Sequence, residues 1–282
     1  MARTVNIRKL SFTDVEDFTE QMRGLGWQGS VTQSQPGSMR LDLSLAETPG
    51  VVGFRTQHTR ADIREVVTPA NTKTFGLIVP ENSGNSWCHR GFDEAVLLMM
   101  PRSDFTAANS AGFVGYQLAF DEEMVARACD QHAVRFPLRD DAELIELGKE
   151  QRQFYSGLFS DLFRVEDEMA WVTLSDELLS AYVTSFGRSR GAVKTRAAAR
   201  HAALAKAREY MHANMDQAIA LADVAEFACV SRRTLTHAFQ ESLGLGPMAY
   251  LKLLRLNSVR QKLRRAEYST MQIVDVANEH GF

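Results

Sequence analysis

The sequence predicts an α+β protein: a β-rich first part that packs as a sandwich or small barrel, followed by an all-helical part. Three observations predict it. Short apolar segments of β character, separated by turn clusters, fill the stretch to about residue 137. Apolar residues at helical spacing replace them afterwards. The charge divides too: Met1 to Phe186 holds 17 Lys+Arg against 27 Asp+Glu, whereas Gly187 to Phe282 holds 15 against 8. An acidic part joined to a basic part is the asymmetry of a chain in which one domain meets a polyanion.

Thr13 to Leu25 reads as a helix, with Val15, Phe18 and Met22 on one face. The β segments that follow are Val51–Phe54, Phe75–Val79, Ala95–Met100 and Gly115–Phe120, with turn residues such as Glu81–Ser86 between them. After Pro137 a long amphipathic helix is expected through Leu144, Leu147, Phe154, Leu158 and Leu162. A second is expected through Leu179, Tyr182, Val183 and Phe186. These two helices cover the β part or pair with a second subunit. The sequence divides at 1–186, a basic linker at 187–197 with two glycines, and 198–282.

A helix-turn-helix unit stands in the last part. Leu221, Val224, Ala225 and Ala228 face inward on one helix, and Leu235, Phe239 and Leu243 on the next. Cys229-Val230 forms the turn, and Ser231 is the N-cap residue of the second helix. The segment Ala220–Val230 recurs 52 residues later as Gln272–Phe282, with Asp223, Val224 and Ala225 falling on Asp275, Val276 and Ala277. A helix from Pro247 to Arg265, with Pro247 in its first turn, is long enough to space the two units. The second unit's partner helix would begin just after Phe282, so that unit is expected to be incomplete.

In such a unit the second helix enters the major groove. Its outward face carries Arg232, Arg233, Thr236, His237 and Gln240. Arg233 suits a bidentate guanine contact and Gln240 an adenine contact, whereas Ser231 and Arg232 suit phosphate. Double-stranded DNA is the expected partner.

Residues Leu204 to Phe282 resemble the AraC/XylS family of transcription regulators. The resemblance rests on Ala207–Tyr210, Leu221–Ala225, Val230–Leu235, Phe239, Leu243–Leu251, Arg255-Leu256, Asp275–Ala277 and Gly281-Phe282. It implies two helix-turn-helix units joined by a central helix. It further implies that 1–186 is a cupin-like effector-binding and dimerisation domain. The expected function is then a regulator, an activator, that senses an unidentified small molecule, works as a homodimer and has RNA polymerase as a further partner. The alternative is a sensing and dimerising fragment with little specific DNA affinity. Two departures stand out: Cys229 fills a slot where the family often has Gly, and Ala220 and Gln272 stand where Ser or Thr commonly caps.

No enzyme is expected. The seven histidines show no HxH or HxxxH spacing, Cys88-His89 is the one adjacent soft pair, and no phosphate loop, nucleophile elbow or dinucleotide fingerprint occurs. No cofactor or metal is expected. Three cysteines without CxxC spacing, no leader-like start and no membrane-length apolar run fit a cytoplasmic protein. For the effector, Phe75, Trp87, Met99 and Tyr116 are candidate pocket walls, and Arg55 and His58 candidate polar contacts.

Overall fold

The computed structural model describes residues 4–88, 90–134, 142–188, 195–265 and 273–279. His89, Pro137, most of the basic linker, Gln272 and Gly281-Phe282 lie outside these residues. Strands are β1 (Arg8–Phe12), β2 (Gln28–Gln33), β3 (Leu41–Thr48), β4 (Val51–His58), β5 (Asp62–Val67) and β6 (Thr72–Val79). They continue as β7 (Asn85–Trp87), β8 (Arg90–Phe92), β9 (Val96–Met99), β10 (Phe105–Asn109), β11 (Val114–Asp121) and β12 (Glu143–Glu146). The helices beside the sheets are α1 (Val15–Gly24), α2 (Glu122–Gln131), α3 (Lys149–Leu162) and α4 (Glu168–Arg188). The last helices are α5 (Thr195–Ala213), α6 (Leu221–Phe227), α7 (Arg232–Leu243), α8 (Pro247–Arg265) and α9 (Ile273–Glu279).

Two antiparallel sheets form, in the orders β1-β3-β4-β11-β6-β9-β12 and β2-β5-β10-β7-β8. Each strand alternates its side chains between two faces, and that alternation builds two separate cores. Leu77, Leu97, Met99, Leu118 and Phe120 of the larger sheet pack under α2, α3 and α4, against Tyr155, Phe159, Trp171 and Tyr182. Their neighbours Ile78, Val96, Leu98 and Ala119 point the other way, toward Trp87, Phe105 and Ala107 of the smaller sheet and Phe18 of α1. A sandwich with helices on one outer face is the result, and the covering role expected of α3 and α4 is filled.

One expected helix is corrected. Leu144 does not belong to the helix that contains Leu158 and Leu162. Glu143–Glu146 is an edge strand, with Leu144 paired to Leu98 and Ile145 to Leu97. The side chains alternate, so Leu144 joins the inter-sheet core while Ile145 packs on the helical side. Gly148 then starts α3 in extended backbone, its N–H held by Gln151 Oε1 at 3.2 Å.

The smaller sheet is a partition. On β5, Arg64 and Val66 face the interior of the sandwich, while Ile63 belongs to the core of the helical region. On β10, Phe105 and Ala107 face the interior, and Ala108 joins Ile63 on the outer side. The helices α5 to α8 sit on that outer side. Glu65 Oε1 accepts from Arg208 Nε at 2.8 Å and from the Tyr250 hydroxyl at 2.5 Å, with Arg208 Nη2 at 2.7 Å. Arg208 also donates to the Thr106 hydroxyl, and Ser86 to the carbonyl of Ser242. At the far end Asp14, which caps α1 through the Glu16 N–H at 2.8 Å, also takes Arg260 at 2.8 Å and Arg264 at 2.6 Å.

Burial alone would raise the Glu65 carboxyl. Hydrogen bonding from His212 and the adjacent Arg208 outweigh burial and hold it well below the usual carboxylate range. A carboxylate depressed in this way stabilises the docked arrangement above its ordinary value of 4.5 and loses that contribution as pH falls below it.

Two outcomes follow. Gly29 has φ 132°, and a Cβ there would lie 1.8 Å from the Glu65 carbonyl oxygen. Gly29→Ala should therefore cost about 3 kcal/mol in urea unfolding; a neutral variant would show that β2 and β5 do not meet so closely. Glu65→Gln leaves the guanidinium of Arg208, 10% exposed, without its carboxylate. Breaking such a pair costs about 3–5 kcal/mol, so the helical region should detach and the radius of gyration in solution scattering should rise. An unchanged radius would remove Glu65 as the docking centre.

Candidate nucleic-acid interface and interior cavity

The helix-turn-helix is built from short-range rules. Val224, Ala225 and Ala228 on α6 and Leu235, Phe239 and Leu243 on α7 bury into one core with Leu204, Ala207 and Met211 of α5 and Tyr250, Leu251 and Leu254 of α8. The turn between α6 and α7 is a Schellman motif: Val230 N–H donates to Ala225 carbonyl and Cys229 N–H to Glu226 carbonyl, both at 3.0 Å. Cys229 holds the left-handed position at φ 56°, the conformation the sequence comparison with Gly raised. Ser231 then caps α7, its hydroxyl accepting from Thr234 N–H at 3.1 Å. Ala220 has no capping side chain, but its N–H reaches Asp223 Oδ2 at 2.7 Å. Gly244 ends α7 with φ 70°.

This geometry leaves Ser231, Arg232, Arg233, Thr236, His237 and Gln240 exposed together on one side of α7. Besides Ser231, two have partners within the helix. Gln240 donates to the Gly244 carbonyl at 3.1 Å, and His237 lies 3.5 Å from Glu241. On α9, Val276 is fully buried and Asp275 exposed.

The six expected effector residues do not gather in one place. Trp87 lines a cavity of about 80 Å³ between the sheets. His58 stands close by, stacked on the cavity residue Phe113 at 4.8 Å, with Nδ1 at 2.7 Å from the Arg60 carbonyl. Burial lowers its pKa, and the opposing pull of Asp62 is too weak to reverse this. Phe75 and Met99 face the helical side of the larger sheet. Tyr116 stacks on Phe159 at 4.9 Å, and Arg55 lies over the Tyr116 ring. Sequence reasoning missed Phe18, Trp27, Arg64, Asn109 and Gln117, all of which line the cavity. The signal within reach was Gln117, a lone polar residue at a core position of an apolar strand.

Among the described residues no group of His, Cys, Asp and Glu is arranged to hold a metal ion, and no helix is long and apolar enough to cross a membrane.

The turn generates a direct test. A non-glycine residue in the left-handed region costs about 1–2 kcal/mol, and the exposed Cys229 thiol meets little beyond the Phe227 carbonyl at 3.7 Å. Cys229→Gly should raise stability by about 1 kcal/mol in denaturant unfolding. A loss of stability would mean that the thiol contributes more than the turn costs.

Comparison with known proteins agrees with this geometry. A family model described as a helix-turn-helix domain matches residues 224–282. Over 74 residues the chain is 37% identical to a probable thc operon regulatory protein of Rhodococcus erythropolis, covering 26% of this chain and 22% of that protein. Over 74 residues it is 31% identical to the XylDLEGF operon transcriptional activator 2 of Pseudomonas putida, covering 26% of this chain and 47% of that protein. The chain thus spans between about a quarter and a half of the length of these relatives. Among solved structures, it aligns with the AraC-like transcriptional activator CuxR at a TM-score of 0.46 and 14% identity, over 96% of this chain and 100% of that one. Residues 224–282 of this chain thus match a helix-turn-helix domain, in a region similar to these regulatory proteins.

Proposed function

We propose that this chain is a sequence-specific transcription regulator whose N-terminal β part senses a small molecule. The observation that carries the reading is the face of α7: Arg232, Arg233, Thr236, His237 and Gln240 exposed together on a helix capped at one end and buried along its other side. The Lys+Arg excess of 15 over 8 after Gly187 supplies the non-specific attraction to phosphate. The interior cavity is the place for the effector, and the partition formed by β5 and β10 joins that cavity to the helical region.

In its finer form the reading makes the protein an activator, in keeping with the name of its Pseudomonas putida relative, working as a homodimer beside RNA polymerase. Phe154 and Met169, 50% and 75% exposed on the helical layer over the larger sheet, support a second copy docking there.

Selection of bound duplexes from a random library tests the reading. Arg233→Ala should relax preference at one or two adjacent base pairs by about 1–3 kcal/mol. Arg232→Ala should weaken all sequences alike and flatten the dependence on salt. A protein that selects no sequence, or an Arg233→Ala variant with the parent's selectivity, would overturn the base-reading role of α7.

A further inference from the structure

We propose that the cavity between the sheets binds a small, uncharged, largely apolar molecule that carries both a hydrogen-bond acceptor and a donor, such as a short-chain carboxamide. The inference rests on the sensing role above and names the ligand's chemical class.

The register explains why there is space. Across the smaller sheet Arg64 pairs with Ala107 and Ala107 with Trp87, so two large side chains flank a small one on the interior face. Across the larger sheet the matching row runs Leu45, Phe54, Gln117, Gly76, Leu98 and Leu144. Gln117 is the polar member of that row, and it lines the cavity with Phe54 and Leu98.

The walls state what is missing. Most of the lining is apolar, including Phe18, Met22, Phe54, Ile78, Leu98 and Phe113. Yet five buried polar atoms of lining residues have no hydrogen-bond partner: Trp27 Nε1, Trp87 Nε1, Arg64 Nη2, Asn109 Oδ1 and Gln117 Oε1. Three are donors and two are acceptors. Asn109 cannot turn its amide round, because its Nδ2 donates to Asp62 Oδ1 at 2.7 Å. Leaving such buried groups unmet is costly, so an occupant that meets them is strongly favoured over an apolar one.

The charge is already balanced. Arg64 Nε bonds Asp62 Oδ2 at 3.0 Å, and Nη2 comes equally close without aiming an N–H at it. The guanidinium also lies over the Phe18 and Phe113 rings at 5.5 and 5.3 Å. A carboxylate ligand would compete with Asp62 for this cation and leave one negative charge unpaired in an apolar space; an ammonium would leave a positive one. Both are costly. A neutral carbonyl accepts from the indoles and the free guanidinium N–H, while an N–H or O–H on the same ligand donates to Asn109 or Gln117.

Four probes of similar size separate the possibilities: propanamide, propanoate, propylammonium and pentane, titrated into the full chain. Trp171 lies on the helical side of the larger sheet, so a Trp171→Phe background leaves Trp27 and Trp87 as the fluorescence reporters. Propanamide should change their emission and raise the melting temperature, with at least tenfold weaker responses to the other three. Trp87→Phe and, separately, Gln117→Leu should each weaken propanamide at least tenfold; the pair guards against one variant failing to fold. Tightest binding of propanoate would overturn the proposal in favour of an anion site. No response to any probe at millimolar concentration would mean that water alone meets the polar atoms, and would overturn it too. Propanamide binding that leaves DNA affinity unchanged would keep the ligand class and remove the regulatory reading instead.

Discussion

A partly buried carboxylate, Glu65, holds the arrangement of the two halves of this molecule. Its Oε1 draws Arg208 and Tyr250 from two different helices of the DNA-binding region onto one strand of the smaller sheet. The burial of Ile63 and Ala108 against those helices accompanies the pair. Burial of this kind is non-directional, so it brings the halves together without choosing an orientation. The directional bonds to Glu65 and Thr106, and those of Arg260 and Arg264 to Asp14, choose it. The outer surface of the sandwich and the inner surface of the helical region are therefore one packed unit.

The interior obeys a different logic. Most of the inter-sheet core is apolar side chains packed on one another. At the cavity, Ala107 falls in register between Arg64 and Trp87, and polar atoms are left unmet. A core built only for stability would have an apolar residue at Gln117 and a larger one at Ala107. The unmet donors and acceptors gathered in that space are what the proposed ligand would satisfy.

Much of the helical region was legible in the sequence, because helical spacing and capping are local. Ser231 announced its cap, Leu235, Phe239 and Leu243 their buried stripe, and Cys229 its strained turn. The exposed residues on the outward face of α7 follow once those are placed. The cavity was hidden for an opposite reason. Trp87 looks like any core tryptophan until pairing sets Ala107 beside it, and Phe75 and Met99 differ from Ile78 and Leu98 only in which face the alternation gives them. A one-residue shift in parity moves a side chain from the cavity to the helical side, and parity comes from long-range pairing. Leu144 failed similarly: in a short segment, a strand continued by a helix has the same apolar spacing as a longer helix.

The partition has a consequence for how such a protein changes over time. On β5 and β10 the residues that touch the cavity largely alternate with those that touch the helical region, with Glu65 touching both. Arg64, Ala107 and Asn109 can be exchanged to accept a new ligand while Ile63, Glu65, Thr106 and Ala108 stay in place. The two strands carry two interleaved texts, and each can be rewritten without erasing the other. Variants that recognise new molecules while leaving the junction with the DNA-binding helices intact are therefore a few substitutions apart, all on one side of one sheet.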